Sequence, residues 1–253
     1  MNFSKQNRIL HQIEEYVNII KSSGLHITTG SDFSYFTSIP KVQPARHNIN
    51  PAFDPKHTNL NARNAIWMIV LNSDGEIVGT QAMQILPNRE LKFGEYLGQN
   101  IWNFRSYGYD LDKSKTNLQL SENASEMEGV IAYHGELWLK GGEGGLRGGS
   151  MVIMLTRLMI LVGLLKWTPD FFIGLQSPLT SCRGLATREG YMRTEQRSIS
   201  WYQKKSATPM EDWLVWMSRE EAEFNLRLPA DFFHDMFDKK VQAESPEQLS
   251  KIA

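Results

Sequence analysis

The sequence predicts an α/β fold, and three stretches carry that expectation. Two apolar, β-prone runs meet at Asp74-Gly75. A strand-like run over 129–142 passes through a cluster of glycines into a long apolar helix pattern at 151–167. Two further strand-like runs, "YMRTEQRSISWYQ" and "EDWLVWMSRE", follow a short apolar run at "PDFFIGLQS". Strands that alternate with helices in this way build a sheet with helices on its faces. With 253 residues, 41% of them apolar and 22% charged, the chain can bury a substantial core. The expectation is one domain over residues 1–240, with an N-terminal helical and irregular extension over about 1–62 and a polar tail over 241–253.

Each element has its own warrant. Over residues 3–23, Phe3, Ile9, Leu10, Ile13, Tyr16, Val17 and Ile20 recur at helical spacing, and Gly24 closes the pattern. "LHITTGSDFSYFTSI" holds short β-prone runs. "PKVQPARHNINPAFDPKH" carries four prolines and reads as an irregular connection over a core. "NAIWMIVLNSDGEIVGTQAMQIL" reads as a β-hairpin, because Asp-Gly adopts the positive φ of a tight turn. Residues 87–128 show weak helical character from Leu91 to Trp102 and then a polar part. A connection that long suits a lid or binding loop. "PLTSCRGLATREGY" reads as a short helix ending at Gly190, and Ser218 with Glu221 three residues on marks a helix start.

Charge and cysteine content exclude several classes. A net charge of -1 gives no bulk attraction for nucleic acid or an anionic membrane. Cys182 is the single cysteine, so neither a disulfide framework nor a structural zinc site is expected, and a reducing cytoplasm fits. The N-terminus has acidic residues and no uninterrupted apolar core, unlike a signal peptide. The run Met151 to Trp167 is too short, and too interrupted at Thr156-Arg157, to predict a membrane span. The six histidines lack metal-ligand spacing, and no metal is expected.

"GGEGGLRGGS", Gly141 to Ser150, has six glycines in ten residues. Such density means either an unordered loop or a backbone shaped for close approach. A strand enters and a helix leaves, so unpaired amides point outward where the helix dipole favours an anion. Arg147 is placed to add a charge-assisted contact. Gly148-Gly149-Ser150 lacks the lysine of a Walker loop, and no dinucleotide-binding βαβ unit opens the chain.

In its order of elements the chain resembles the GNAT superfamily of acyl-CoA N-acyltransferases. There a strand ends in a Gln/Arg-x-x-Gly-x-Gly/Ala loop that binds the coenzyme A pyrophosphate at the start of a helix. "GLRGGS" places Gly148 and Ser150 at the two small positions, with Gly145 in place of Gln or Arg. "KWTPDFFIGLQS" is similar to the following strand, and "LATREGYMR" to the Tyr-x-x-x-Gly-Phe ending, with Gly190-Tyr191 for Gly-Phe. The resemblance covers residues 64–86 and 129–217. It implies a mixed, mostly antiparallel central sheet flanked by helices, with N-terminal, mid-chain and C-terminal elaborations. It also implies a coenzyme A site of Gly145, Leu146, Arg147, Gly148, Gly149 and Ser150, with main-chain groups of Leu137, Trp138 and Leu139 beside the pantetheine arm. Ala186 stands where many members carry the tyrosine that protonates the leaving thiolate.

His134 and Glu136 are two apart on one strand, so period-two alternation puts them on one face with Trp138. Glu136 is the leading candidate base and His134 the second; the bland reading of the pair is an exposed polar rim. Ser177 either bonds ligand or caps the next helix. Cys182 is expected to be a small buried core residue rather than a nucleophile. Arg183 and Arg188 either reach phosphates or are solvated. "WNFRSYGYD" either lines a pocket or anchors a loop.

The function expected is transfer of an acyl group from acetyl-CoA or a longer acyl-CoA to an amine on a small molecule, protein or peptide. Two other readings stay open: a non-catalytic acyl-CoA-binding sensor or scaffold, and a same-fold transferase that takes its acyl group from a carrier protein or aminoacyl-tRNA. The helix pattern at 151–167 is apolar nearly all round, with Arg157 and Lys166 its only charges. Its outer face needs cover, from the N-terminal helix, from the segment with Phe232, Phe233 and Phe237, or from a second copy in a homodimer.

Overall fold

The computed structural model describes residues 3–232, apart from 44–45, 47, 89, 106–109, 143–144, 148 and 226. Helix α1 spans Phe3–Ser22 and leads into strand β1, His26–Gly30. The proline-rich connection is not wholly irregular. It holds the short helices α2 (Phe33–Phe36) and α3 (Ile39–Val42) and a 3-10 turn at Pro51–Phe53, capped by the Asn50 side chain. The expected hairpin is β2 (Ala65–Leu71) and β3 (Ile77–Ile85). The long mid-chain segment folds as α4 (Phe93–Asn100), a 3-10 turn (Ile101–Phe104), the two-residue strand β4 (Asn117–Leu118) and α5 (Glu122–Ser125).

After β5 (Ile131–Leu139) come α6 (Met151–Trp167) and β6 (Phe171–Gln176). The single helix expected before Gly190 is two, α7 (Pro178–Cys182) and α8 (Leu185–Glu189), because Gly184 at φ 72° breaks the path between them. Strands β7 (Arg193–Trp201) and β8 (Met210–Ser218) precede α9 (Arg219–Asn225). The Glu221 carboxylate accepts from the Ser218 N–H at 2.8 Å and the Glu221 N–H donates to Ser218 Oγ at 3.3 Å, the reciprocal cap read from the sequence.

The strands form one mixed, mostly antiparallel sheet in the order β1-β2-β3-β5-β6-β8-β7-β4. Among the described strands, only β5 and β6 pair in parallel, as a strand, helix, strand crossover through α6 requires. Each face of the sheet has its own apolar core. On one face, α6 packs with Met83, Phe172 and Val215. On the other, Phe33, Phe53, Phe93 and Phe104 gather around Tyr133 and Trp201.

Helix α1 settles how α6 is covered. Ile9, Tyr16 and Ile20 are buried in the same cluster as α6, and each such side chain contributes roughly 1.5–3 kcal/mol on burial. Arg157, buried at mid-helix, lies beside Tyr16 and donates from Nη1 to the Asn225 carbonyl at 3.0 Å. Phe232 is half exposed; Phe233, Phe237 and the tail at 241–253 lie outside the described residues. Among the described residues, no helix is long and apolar enough to cross a membrane.

Candidate active site

Strands β5 and β6 pair only from Ile131 to Tyr133, against Phe171 to Ile173. Beyond that point β5 stays with β3 and β6 stays with β8, so the two strands part and a cleft of about 820 Å³ opens between them. A cleft of this size takes a small-molecule ligand.

A β-bulge shapes its wall. Ala82 faces Gly135 and Thr80 faces Trp138, so one residue of β3 stands opposite two of β5. Glu136 absorbs the extra residue at φ 59°. Gly135 is required beside it, since a Cβ there would lie 2.8 Å from the Phe53 ring.

The bulge inverts the alternation along β5. Before it, Ala132 packs with the α6 core and Tyr133 with the opposite core; after it, Leu137 and Leu139 pack with the α6 core. His134 and Glu136 therefore lie on opposite faces of the sheet, not on one face as strict period-two alternation predicts. Trp138 shares a face with Glu136 alone. Neither residue is an exposed rim group, for both are at least nine-tenths buried.

On the face away from α6, Glu136 is held from both sides. Oε2 accepts from Arg46 Nη2 at 2.7 Å and Oε1 from the Asn50 N–H at 2.8 Å. Arg46 also donates from Nε to Thr80 Oγ1 at 2.9 Å and stacks its guanidinium over Phe36. A buried carboxylate with a cation and an amide as partners keeps a fixed orientation. The same side of the cleft carries Phe104, Arg105 and Asp212. Asp212 accepts from Trp201 Nε1 at 2.7 Å and from Arg105 at 3.2 Å, and burial pushes its carboxyl above the usual range. "WNFRSYGYD" thus does both things open to it: Phe104 and Arg105 line the cleft, while Trp102 packs edge-on against Trp201. Residues 106–109 lie outside the described residues.

On the α6 face, His134 has both ring nitrogens engaged. Nε2 lies 3.0 Å from Gln81 Oε1, and Nδ1 lies 3.2 Å from the Tyr191 hydroxyl. Gln81 donates from Nε2 to the Leu155 carbonyl at 2.7 Å, which turns its oxygen to the imidazole. The proton therefore sits on His134 Nε2, and Tyr191 donates to Nδ1. Burial pushes His134 down to about 4, so the ring is neutral at pH 7 and its lone pair is taken. His134 thus lines the cleft with both ring nitrogens engaged, one by Gln81 and one by Tyr191. Two further polar groups on this face, Glu189 and Gln176, pair with each other.

The described part of the glycine stretch is an ordered reversal. The Leu146 N–H donates to the Lys140 carbonyl at 2.9 Å and the Gly145 N–H to the Gly142 carbonyl at 3.0 Å. A Cβ on Gly145 would lie 2.4 Å from the Lys140 carbonyl oxygen. Arg147 Nε donates to the Leu139 carbonyl at 2.6 Å, so this side chain pins the turn to its own strand. Ser150 accepts through its carbonyl from Ile153 and Met154 and opens α6, and no described atom lies within 4 Å of where a Cβ on Gly149 would stand. Gly148 lies outside the described residues.

Ser177 caps α7, accepting from the Thr180 N–H at 3.4 Å, and also lines the cleft with Leu137. Cys182 is exposed, not the buried core residue expected, because α7 is too short to present an apolar stripe inward. Arg183 is exposed and Arg188 half-buried, and neither lines the cleft.

A strand that ends in a glycine turn, the helix that follows it and a parallel strand beyond make the arrangement the resemblance implies. The chain has a GNAT-type fold. No family model matches it, and no curated protein matches it in sequence. Among solved structures it is similar to AAC(6')-Ib in complex with paromomycin and acetyl-CoA, at 11% identity and a TM-score of 0.42 over 79% of this chain and 96% of that one. It is similar to FeeM, an N-acyl amino acid synthase from uncultured soil microbes, at 8% identity and a TM-score of 0.43 over 81% and 96% of the two chains. RimL, a ribosomal L7/L12 alpha-N-protein acetyltransferase, matches at 10% identity and a TM-score of 0.40 over 77% and 93%.

Sequence reasoning missed Arg46, Asn50, Gln176, Glu189 and Asp212. Asp212 was legible, because alternation places it on one face with Leu214 and Trp216. Glu189 follows Leu185 and Ala186 at helical spacing, a carboxyl on an apolar stripe. Arg46 carries no such signal.

Proposed function

We propose that this chain transfers an acyl group, acetyl or longer, from a coenzyme A thioester to an amine. The observation that carries the reading is the parting of β5 and β6, which opens a cleft through the sheet with polar groups at both faces. The donor enters from the α6 side. There the glycine turn delivers the chain into a helix N-terminus suited to a pyrophosphate, and Gly145, Leu146, Gly149 and Ser150 frame it. The open space over Gly149 fits a phosphate drawn close to the main chain, with Arg147 beside it. Main-chain groups of Leu137, Trp138 and Leu139 guide the pantetheine arm along β5, although the Leu139 carbonyl already accepts from Arg147. Ser177 borders the same cleft while its hydroxyl serves the α7 cap.

The acceptor occupies the other face. Glu136 takes the proton from the ammonium form of the amine, directly or through one water, while Arg46 and Asn50 fix the direction of its carboxylate. The freed lone pair attacks the thioester carbonyl, whose oxygen is met by an N–H on the edge of β5 that β6 no longer covers. A single exposed cysteine and the reducing setting it suits fit a cytoplasmic enzyme.

A thermal-shift panel of acyl-CoAs of increasing chain length tests the reading. A ligand at 100 times its dissociation constant stabilises by about 2.7 kcal/mol. A flat response across the panel would remove the donor assignment. The second reading, an acyl-CoA-binding sensor, is favoured by Ala186, which leaves no tyrosine at that point of α8. It requires binding of acyl-CoA without release of its thiol to any amine acceptor in a chemically broad panel.

A further inference from the structure

We propose that Glu189 is the proton donor to the leaving thiolate, so that the reaction runs between two carboxyl groups on opposite faces of the sheet, Glu136 toward the amine and Glu189 toward the thioester sulfur. This rests on the transferase reading above. The geometry is the following. Gln176 ends β6 on the α6 side of the cleft, with Tyr191 and His134, and Glu189 closes α8 against it. Glu189 Oε2 accepts from Gln176 Nε2 at 2.5 Å, and Gln176 Oε1 in turn accepts from Ser181 Oγ at 2.9 Å, which fixes the amide orientation. The carboxyl is 4% exposed and lines the cleft. It stands on the face from which the glycine turn brings the donor, whereas Glu136 stands on the other.

The charged and titratable groups around it are few. They are Arg188 on its own helix, Tyr191 just beyond it, His134 across the cleft on β5, and Arg157 of α6, whose guanidinium lies beside Gly190. Neither Tyr191 nor His134 is charged at pH 7, and Arg157 is committed to Asn225. Burial outweighs the Gln176 hydrogen bond and the Arg188 charge and pushes the Glu189 carboxyl up to about 8. It is a neutral acid at pH 7, while the Glu136 carboxylate is bound to a cation. Two carboxyl groups in such opposed surroundings divide into acid and base.

The step balances. The amine nitrogen forms the C–N bond as its proton passes to Glu136. The C–S bond then breaks with its electron pair on sulfur, and the Glu189 proton moves to that sulfur, giving amide and free thiol. Solvent reprotonates Glu189 and Glu136 releases its proton to solvent, so a neutral amine is acylated with no net change in protons. An ammonium substrate first loses one more proton through Glu136 to solvent, for a net release of one proton per turnover.

The test uses full-length protein with acetyl-CoA and octanoyl-CoA as donors and hydroxylamine as a small amine probe, following thiol release. Glu189→Gln is expected to lower kcat by about 100-fold or more at pH 7, with the acyl-CoA dissociation constant within about twofold by calorimetry. The wild-type alkaline limb in kcat, centred near 8, is expected to vanish in this variant. Gln176→Leu provides a second arm, since loss of the amide donor destabilises the ionised carboxyl and moves that limb to higher pH. Unchanged kcat in Glu189→Gln, or an alkaline limb that persists there or ignores Gln176→Leu, overturns the role of Glu189 while leaving the transferase reading intact. Failure of the wild type to bind either donor, or to release thiol, overturns both.

Discussion

Each oxygen of the Glu136 carboxylate meets a buried donor, and the two partners have separable roles. Glu136→Gln keeps the shape and removes the base. Its turnover is expected to fall about 100-fold or more, with acyl-CoA affinity unchanged, because the lost interaction belongs to the transition state. Full turnover with a good acceptor would make this residue structural. Arg46→Met leaves Glu136 buried without its cation, and breaking such a pair from one side costs about 3–5 kcal/mol. Urea unfolding reads that directly. A loss below about 1 kcal/mol would mean that water replaces the guanidinium at little cost.

The glycine turn and α1 act as whole elements. A side chain on Gly145 meets the Lys140 carbonyl, which is backbone and cannot swing aside, so Gly145→Ala must open the reversal that leads into α6. Calorimetry is expected to show acyl-CoA affinity reduced about tenfold or more, equivalent to about 1.4 kcal/mol, while the melting transition stays cooperative. Retained affinity would detach the turn from phosphate binding. Helix α1 covers an α6 that is apolar nearly all round. Removing residues 1–23 is expected to expose that face and drive self-association, visible as a rise in mass by light scattering. A truncated chain that melts cooperatively as the same species would show that α1 is not the cover.

Across the whole molecule, two buried groups with opposite shifts pull the dependence of stability on pH in opposite directions. His134 titrates near 4 in the fold against an ordinary 6.5, so the unfolded chain binds its proton first and stability is lost as pH falls from 6.5 through 4. Glu189 titrates near 8 against an ordinary 4.5. The fold keeps a proton that the unfolded chain gives up, so this contribution is complete below 4.5 and is lost as pH rises through 8. For these two groups, stability is greatest between 4.5 and 6.5. Urea unfolding of wild type and Glu189→Gln at about pH 5.5 and about pH 8.5 is expected to show wild type weakening toward alkaline pH and the variant resisting. Parallel behaviour of the two would mean that Glu189 is ionised in the fold.

The sequence by itself determined the principal strands and helices and their order, but not the short elements α2, α3, β4 and α5 or the break between α7 and α8. The Asp74-Gly75 turn, the helical stripe of α1, the Ser218 to Glu221 cap and the glycine run between a strand and an apolar helix are local signals, because each depends on residues within a few positions of one another. The site was only partly legible. Glu136 and His134 were legible as candidates, but the faces they serve were not. A single bulge at Glu136, forced by pairing with β3 and by the Phe53 ring over Gly135, reverses which side each one serves. Arg46, 90 residues away in sequence, reaches Glu136 only because the proline-rich connection packs over the sheet. Tertiary structure alone decided which carboxyl is ion-paired and which is neutral, since that depends on what the rest of the chain brings within hydrogen-bonding distance and how completely it excludes water.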